Sequence, residues 1–347
     1  MKKLTINEIA EMVGVSKTTI SFYLNGKTNK MSDETQKKIQ QVIEETGYTP
    51  SAATRTVKAS DDCIGVILGD VSKPFAAKAL KGIEEEAHEA GYQVIVGSNE
   101  MSFAKEKEYV EHMLKMGVSG FIIQATYRFG ILAMELEKKN KKVVYLDIPP
   151  YDSQGVRVLG DNYQCVYDAI SQCIERGYDQ LLVVSDANES EYTGMDNLRG
   201  FKDAANDAGV SFKTYFIEAE TTREEIHDYL EQNISEYKKT LVYASDVEAL
   251  RKVYLGIKLF SDFQSLFPER LGLIGFDVTG WTKIAVPEIS AIMIPAYQEG
   301  QIASRKLIEM IESKNSISNK KVIIKNAVRA CKAGDDGPGG DDHGHTA

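Results

Sequence analysis

Residues 4–25 read LTINEIAEMVGVSKTTISFYLN, and the rest of the chain is organised around this stretch. Thr5 is placed as an N-cap with Glu8 three residues later, which is the spacing of a capping box. Apolar residues then recur at helical spacing until Gly14, a residue that often ends a helix in a left-handed conformation. Ser16 is placed as the N-cap of a second helix. The stretch therefore predicts two short helices joined by a tight turn.

Two short helices joined in this way form a helix-turn-helix, whose second helix enters the major groove of DNA and reads bases with its N-terminal residues. A helical hairpin used only for packing would show the same local pattern, and it is the alternative. On the DNA-binding interpretation, the residues expected to contact DNA in this stretch are Thr5, Ser16, Lys17, Thr18, Ser21, Phe22 and Asn25.

A third helix follows, with Ser32 as its N-cap and an apolar stripe of Ile39, Val42 and Ile43. Residues 1–60 contain nine Lys and Arg against six Asp and Glu, whereas the remainder contains 32 against 45. The whole chain has a net charge of −10, so a DNA contact is expected only at this basic head. The head lysines are candidate phosphate contacts or, equally, solvated surface charges.

The composition and the motifs narrow the class of protein. With 347 residues, 43% hydrophobic and 27% charged, the chain has the profile of a globular protein of two or three domains. It has neither the apolar core of a signal peptide nor an apolar run of membrane-spanning length, so a cytoplasmic protein without a membrane partner is expected. Four scattered cysteines favour buried free thiols. No phosphate loop, metal motif or nucleophile–base set is found, so we expect no enzyme activity, metal or cofactor.

After residue 61, short β-branched runs alternate with amphipathic helical stretches. The expected strands are 64–68, 93–96, 120–124 and 142–147, and then 180–185, 215–218, 241–244 and 271–276. Alternation of this kind predicts an α/β body of parallel sheets with helices on both faces. The two series of strands predict two similar lobes.

The chain resembles the LacI/GalR (lac repressor) family of bacterial transcriptional regulators. The resemblance rests on Thr5-Ile6, Gly14-Val15-Ser16, Thr19-Ile20-Ser21, Leu24-Asn25-Gly26, Tyr48-x-Pro50 and Ile64-Gly65-Val66. It implies a homodimer on a pseudo-palindromic DNA operator, with a helix-turn-helix head (1–47), a hinge helix (48–61) and a two-lobed body (62–332) like periplasmic binding proteins. The N-lobe would comprise about 62–161 and 293–320, and the C-lobe about 162–292 and 321–332. The acidic, low-complexity residues 333–347 are expected to be a disordered tail.

The resemblance assigns roles to the hinge and also shows a departure. Val57 aligns with the residue that wedges into the minor groove, where the family usually has Leu, and Arg55 is a candidate phosphate or minor-groove contact. Phe22 stands where the family usually has an Arg that bonds guanine. Phe22 would offer apolar contact, for example to a thymine methyl, or would instead pack into the head core.

The family binds a small effector between its lobes, and open α/β sheets bind ligands beyond the carboxyl ends of their strands. Asp277 is the preferred candidate because it matches the family's Gly-aromatic-Asp motif, whereas Asp70 and Asp161 could instead be helix caps. Asn197 replaces a typical Arg and Lys73 a frequent Asn, so a sugar acid is one hypothesis and a neutral sugar the other. The candidate effector residues are Asp70, Lys73, Phe75, Gln124, Asp147, Asp161, Asn197, Asp246, Asp277 and Trp281.

The expected function is therefore a transcriptional regulator, in the first instance a repressor of carbohydrate-utilisation genes. Alternatives are a regulator controlled by a phosphorylated protein partner, a solute-binding protein, or an enzyme acting on a sugar.

Overall fold

The computed structural model describes residues 4–24, 31–46, 63–147, 155–186, 193–313 and 321–329. The chain divides into two compact units, residues 1–61 and 62–347. The expected hinge helix (48–61) and the tail (333–347) lie outside the described residues. None of the helices in the described ranges combines the length and the apolarity needed to cross a membrane.

The head consists of three helices, α1 (Ile6–Val13), α2 (Lys17–Leu24) and α3 (Asp33–Thr46). Thr5 and Glu8 form the expected capping box, and Gly14 ends α1 with a φ of 77°. Thr19 donates its backbone N–H to the Ser16 hydroxyl at 3.2 Å, which caps α2. The core of the head contains Ile9, Ile20 and Ile39, each fully buried.

The body begins with the first lobe: β1 (Cys63–Leu68), α4 (Pro74–Glu89), β2 (Gln93–Ser98), α5 (Phe103–Met116), β3 (Gly120–Ile123), α6 (Gly130–Lys138), β4 (Lys142–Leu146) and β5 (Val156–Gly160). The second lobe contains α7 (Asn162–Glu175), β6 (Gln180–Asp186), α8 (Thr193–Asp207), β7 (Phe212–Ile217), α9 (Arg223–Asn233), β8 (Thr240–Ala244), α10 (Val247–Ile257), α11 (Phe263–Leu266), β9 (Leu271–Asp277), a 3-10 helix (Trp281–Lys283) and β10 (Ser290–Met293). The chain then continues through α12 (Ala296–Glu312), β11 (Lys321–Ile324) and β12 (Ala327–Arg329).

Each lobe has one six-stranded sheet, in the order β11-β5-β4-β3-β1-β2 in the first lobe and β12-β10-β9-β8-β6-β7 in the second. All neighbouring strands are parallel except β10 and β12. Two apolar cores lie on the two faces of each sheet. The expected architecture of parallel α/β lobes is confirmed.

The chain crosses between the lobes after β5, after β10 and after β11. We expected residues 321–332 to belong to the C-lobe, and for Lys321–Ile324 this was wrong. This strand pairs with β5 in the first sheet, and Val322 and Ile324 pack against the core of the first lobe. The third crossing therefore falls between Ile324 and Ala327.

Helices α4 and α12 pack with their backbones in close approach on one face of the first sheet. A Cβ atom at Gly300 would lie 2.0 Å from the Ala79 carbonyl oxygen, and one at Gly82 would lie 2.1 Å from that of Tyr297. Only glycine fits at either position without moving a helix. The apolar stripe of α4 faces its own sheet, since Ile83 and Ala87 belong to the core of the first lobe.

Candidate functional site

The second helix of the head has one side buried and one side available. Ile20 is fully buried and Leu24, one turn later, packs against the same core. Lys17 and Thr18, in the first turn of the helix, are exposed, and the half-buried Ser21 follows one turn later, so these three residues share an accessible side. This is the side that a recognition helix presents to the major groove.

Phe22 lies on the same outward side of α2. It is half-buried, four residues after the exposed Thr18, whereas the adjacent Tyr23 and Leu24 pack against the head core. Its position on the helix therefore favours the interpretation in which Phe22 contacts DNA over the one in which it packs into the head core.

Replacing Phe22 with Ala is therefore expected to weaken operator binding while changing the thermal stability of the head by less than about 1 kcal/mol. Tyr23→Ala is the matched control, because it removes an aromatic ring that packs on the core and should lower stability. DNA affinity and thermal unfolding of the full chain would be measured for both. A Phe22→Ala variant as destabilised as Tyr23→Ala would place Phe22 in the core.

Thr5 and Ser16 use their hydroxyl groups to cap α1 and α2. The other expected DNA contacts, Asn25, Arg55 and Val57, lie outside the described residues, so their roles stay predictions.

In the body, the carboxyl ends of strands from both lobes border one cavity, as the topology predicts. This inner cavity has a volume of about 140 Å³ and is lined by Phe75, Gln124, Asp147, Asn162, Asn197, Ser245, Asp246, Val247, Phe276 and Ile294.

On the first-lobe side, the Gln124 side chain is held at both ends. Its Oε1 accepts the Gly69 N–H at 2.8 Å, and its Nε2 donates to the Asp147 Oδ2 at 3.1 Å. Asp147 follows β4 with a φ of 62°, a left-handed conformation that non-glycine residues seldom adopt and that often marks functional sites. These bonds fix the Asp147 carboxylate in place.

On the second-lobe side, two polar side chains each have one atom that is hydrogen-bonded and one that is not bonded to any described residue. Asn197 donates from Nδ2 to the Ser245 carbonyl at 3.1 Å, while its buried Oδ1 has no hydrogen-bond partner among the described residues. Asp246 caps α10 by accepting the Glu248 and Ala249 N–H groups with Oδ1, while its buried Oδ2 has no hydrogen-bond partner in the part of the chain that the structure describes. Asn197 Oδ1 and Asp246 Oδ2 are both hydrogen-bond acceptors, so this side of the cavity is suited to a ligand that donates hydrogen bonds.

A second, outer cavity of about 360 Å³ adjoins the first and shares Phe75 and Gln124 with it. Asp70 and the exposed Lys73 line it together with Glu100. Asp70 accepts the Ser72 N–H and hydroxyl groups, and these bonds lower the pKa of its carboxyl group. Lys73 occupies the N-cap position of α4, so the alternative that Asp70 caps this helix was wrong.

The structure does not bring Asp277 to either cavity, contrary to expectation. Its Oδ1 accepts the N–H and hydroxyl groups of Thr279 and the N–H of Gly280, and its Oδ2 accepts both donors of Thr282. The carboxylate is fully buried and organises the loop after β9.

Asp161 and Trp281 also lie outside the residues that line the two cavities. Asp161 accepts the Asn326 N–H at 2.6 Å and so joins two of the lobe crossings. It occupies the N-cap position of α7 but makes no capping hydrogen bond. The Trp281 ring packs at 5.7 Å from that of Tyr254, against the core of the second lobe.

Comparisons with known proteins agree with this two-unit organisation. Residues 5–51 match the profile of bacterial regulatory proteins of the lacI family, and residues 61–332 match that of periplasmic binding proteins and the sugar binding domain of the LacI family. The chain belongs to the LacI family of transcriptional regulators. It is thus a DNA-binding regulator of a non-enzymatic family, with a small-molecule-binding body.

Among its relatives is the HTH-type transcriptional regulator KdgR of Bacillus subtilis, 25% identical over 89% of this chain and 91% of the relative. A LacI family protein from Silicibacter pomeroyi has a similar structure, with a TM-score of 0.74, 18% identity and coverage of 94% of this chain and 98% of that one. The complex of the transcriptional regulator CelR with cellobiose is also similar, with a TM-score of 0.62, 18% identity and coverage of 94% and 99%.

Sequence reasoning missed several cavity residues of this LacI-family regulator. Asn162, Ser245, Val247, Phe276 and Ile294 line the inner cavity. Ser245, Phe276 and Ile294 lie at or just after the carboxyl ends of β8, β9 and β10, so strand ends identified in the sequence carried the signal for the first two. Strand β10 itself had not been expected.

Glu299 was also not among the residues expected from the sequence, although it is a buried carboxyl group that interacts electrostatically with Asp147 of the inner cavity. It is 1% exposed on α12, and no described residue forms a hydrogen bond with either carboxylate oxygen. Burial and, secondly, the charge of Asp147 raise its pKa to about 8. Burial raises the pKa of Asp147 itself to about 6, against the opposing hydrogen bond from Gln124.

The raised pKa of Glu299 predicts a dependence of stability on pH. Because the folded state keeps this carboxyl group protonated while the unfolded chain ionises it near its ordinary pKa of 4.5, stability should fall as the pH rises from there through about 8. The slope is up to about 1.4 kcal/mol per pH unit. Urea unfolding of the full chain at pH 6 and 8 should show this fall, and Glu299→Gln should reduce it. Glu312→Gln, an exposed position on the same helix, is the control; an unchanged slope in Glu299→Gln would contradict the assignment.

Proposed function

We propose that this regulator represses carbohydrate-utilisation genes as a homodimer on a pseudo-palindromic operator, and that a small sugar or sugar acid in the inner cavity controls its affinity for DNA. The proposal rests on two buried acceptors, Asn197 Oδ1 and Asp246 Oδ2, which have no partner among the described residues and lie in a cavity between the lobes. Sugar hydroxyl groups are donors that can satisfy such acceptors.

The remaining lining fits a carbohydrate as well. Phe75 and Phe276 supply apolar ring surface, and Gln124 and Asp147 supply fixed polar atoms. Binding sites for small molecules typically combine such apolar walls with a few precisely placed polar groups. The similar structure of CelR holds cellobiose, which supports the same class of ligand here.

Control of DNA binding would follow from the position of the cavity. The first lobe contributes Gln124 and Asp147, and the second contributes Asn197 and Asp246, so a ligand that bonds to both favours one arrangement of the lobes. If that arrangement differs in its affinity for operator, ligand and DNA are coupled.

The test has two parts, both on the full chain. Selection from a pool of random duplexes should yield a site with two-fold related halves, as expected of a dimer of helix-turn-helix heads. A thermal-shift screen of sugars and sugar acids should then give a ligand that raises the melting temperature by mass action.

Val247→Phe, which places a larger side chain at the wall of the inner cavity, should abolish the ligand shift and keep operator binding. Val96→Phe makes the same change at an exposed position of the first lobe and should keep both. Operator binding with no shift from any sugar or sugar acid would refute the carbohydrate part of the proposal. Selection of a site without two-fold symmetry would refute the dimeric part.

A further inference from the structure

We propose that the effector carries an ammonium group, as an amino sugar does, and that the carboxylates of Asp147 and Asp246 hold this group in the inner cavity. The inference rests on the proposed function, because it specifies which kind of carbohydrate the cavity takes. It follows from the charges around the cavity and from the acceptors that have no partner.

The inner cavity concentrates negative charge. Asp147 and Asp246 line it, one from each lobe. Asp186 and Glu248 act electrostatically on Asp246, and Asp147 acts on Glu299, so each cavity carboxylate has at least one further acidic group within electrostatic range. Burial is the main cause that raises the pKa of both Asp147 and Asp246, which shows that each charge is held in an environment that disfavours it.

Within the described ranges, the residues that line the inner cavity include no lysine or arginine. Among nearby cations of the described residues, Lys73 lines the outer cavity beside Asp70 and Glu100. Lys78 donates to the Val278 carbonyl at 2.6 Å, and Arg199 pairs with Asp196 at 3.0 Å. None of these three cations is paired with Asp147 or Asp246, so we assign the compensation of the two carboxylates to a cationic group of the ligand.

The acceptor atoms without a partner among the described residues also favour an ammonium group, independently of the charge argument. Asn197 is 5% exposed, and its Oδ1 accepts no hydrogen bond from any described residue. The buried Oδ2 of Asp246 likewise accepts none from them. An ammonium group has three donors and no acceptor, so it can satisfy several such atoms at once. A hydroxyl group can satisfy one of them but leaves the carboxylate charge uncompensated.

Two other kinds of ligand fit less well. A carboxylate or phosphate in the inner cavity would face Asp147 and Asp246 and be repelled, so a sugar acid would have to place its anionic end beside Lys73. A metal ion needs converging ligands, and in the described part of the chain the acidic groups of this cavity form no three-ligand cluster. The cluster that does occur, His227, Asp228 and Glu231, lies on α9.

Calorimetric titration of the full chain would test the inference with matched sets of sugars. The probes are glucosamine, galactosamine and mannosamine, each with its N-acetyl derivative, its parent hexose and the corresponding hexonate. At least one free amine is expected to bind about tenfold or more tightly than its N-acetyl and hydroxyl counterparts, since an added bond to a charged group contributes on the order of 1.4 kcal/mol or more.

Two variants then locate the ammonium group. Asp246→Asn keeps an oxygen that can cap α10 and removes the charge, and Asp147→Asn keeps an acceptor for Gln124 and tolerates the left-handed backbone. Each should remove most of the preference for the amine. Asp168→Asn, an exposed position on α7, removes a charge elsewhere in the second lobe and should leave the preference unchanged.

A series in which no free amine binds more tightly than its N-acetyl and hydroxyl counterparts overturns the inference, whatever the neutral sugars do. An amine preference that survives both variants overturns the assignment to Asp147 and Asp246. Tight binding of a neutral sugar or a hexonate alone would refute the ammonium group and still support the proposed function. Failure of every sugar in the series and in the wider screen would refute both.

Discussion

Gly300→Ala is expected to destabilise the body, although replacing glycine with alanine inside an exposed helix ordinarily stabilises it by up to about 1 kcal/mol. The reason is the close approach of α4 and α12, where the new methyl group would lie 2.0 Å from the Ala79 carbonyl oxygen and 2.8 Å from its carbonyl carbon. Both obstacles are backbone atoms, so a helix must move. Overpacking of this kind costs roughly 1–3 kcal/mol or more.

The measurement is thermal unfolding of the full chain. Gly300→Ala and Gly82→Ala, which face each other's helices, should both lower the melting temperature by several degrees. Gly130→Ala is the control, because nothing lies within 4 Å of a Cβ atom at that helical position. Equal melting temperatures for Gly300→Ala and Gly130→Ala would show that the two helices are not in the close contact described.

Asp277→Ala is expected to be the most damaging of the aspartate substitutions, and to act on stability before it acts on ligand. The buried carboxylate accepts three N–H and two O–H groups of its own loop, and the variant would leave the two buried donors of Thr282 unsatisfied. A loss of roughly 2–4 kcal/mol follows from leaving these two buried donors unpaired and releasing the loop that the carboxylate holds. The loop also presents the Val278 carbonyl that receives Lys78 from the first lobe, so its disorder would loosen a contact between the lobes.

The acid limb of the stability curve gives a second measurement on Asp277. Burial opposes ionisation, but the hydrogen bonds from Thr282, Gly280 and Thr279 outweigh it and lower the pKa of this carboxyl group below 3.8. A lowered folded-state pKa contributes stability above the ordinary value that is lost as the pH falls through the folded value. Wild-type stability should therefore decline below about pH 4, and Asp277→Ala should lack that part of the decline.

Asp161→Asn is the control for both measurements, since Asp161 accepts one backbone N–H and its amide analogue keeps an acceptor. An Asp277→Ala protein with the wild-type melting temperature and a specific loss of ligand binding would restore the direct effector role that the sequence motif suggested.

The regular parts of the fold could be predicted from the sequence because their signals are local. The capping box at Thr5, the left-handed Gly14 and the eight expected strands depend on neighbouring residues, and all were found. The missed strands β5, β10, β11 and β12 are three to five residues long, and strands this short show little periodicity. Their positions depend on pairing partners far along the chain.

The sequence predicted which strand ends border the site, but it did not predict which of the polar side chains there are available to a ligand. The spacing located Gln124, Asp147 and Asp246 because the carboxyl ends of parallel strands converge. The spacing could not show that hydroxyl and backbone donors of the following loop form hydrogen bonds with the Asp277 carboxylate, because these bonds depend on the geometry of the loop. The burial of Glu299 could have been predicted from the sequence, since it lies three residues after Ala296 and four before Ala303 on the buried stripe of α12.

The central claim is that a ligand in the inner cavity controls DNA binding by the head. Its most direct test is the affinity of the full chain for its selected operator, by fluorescence anisotropy, with and without the ligand found in the thermal-shift screen. We expect the ligand to change this affinity by about fivefold or more, the usual range of allosteric coupling, and we expect Val247→Phe to abolish the change while Val96→Phe retains it. An operator affinity that does not respond to a bound ligand, or one that responds equally in Val247→Phe, would contradict it.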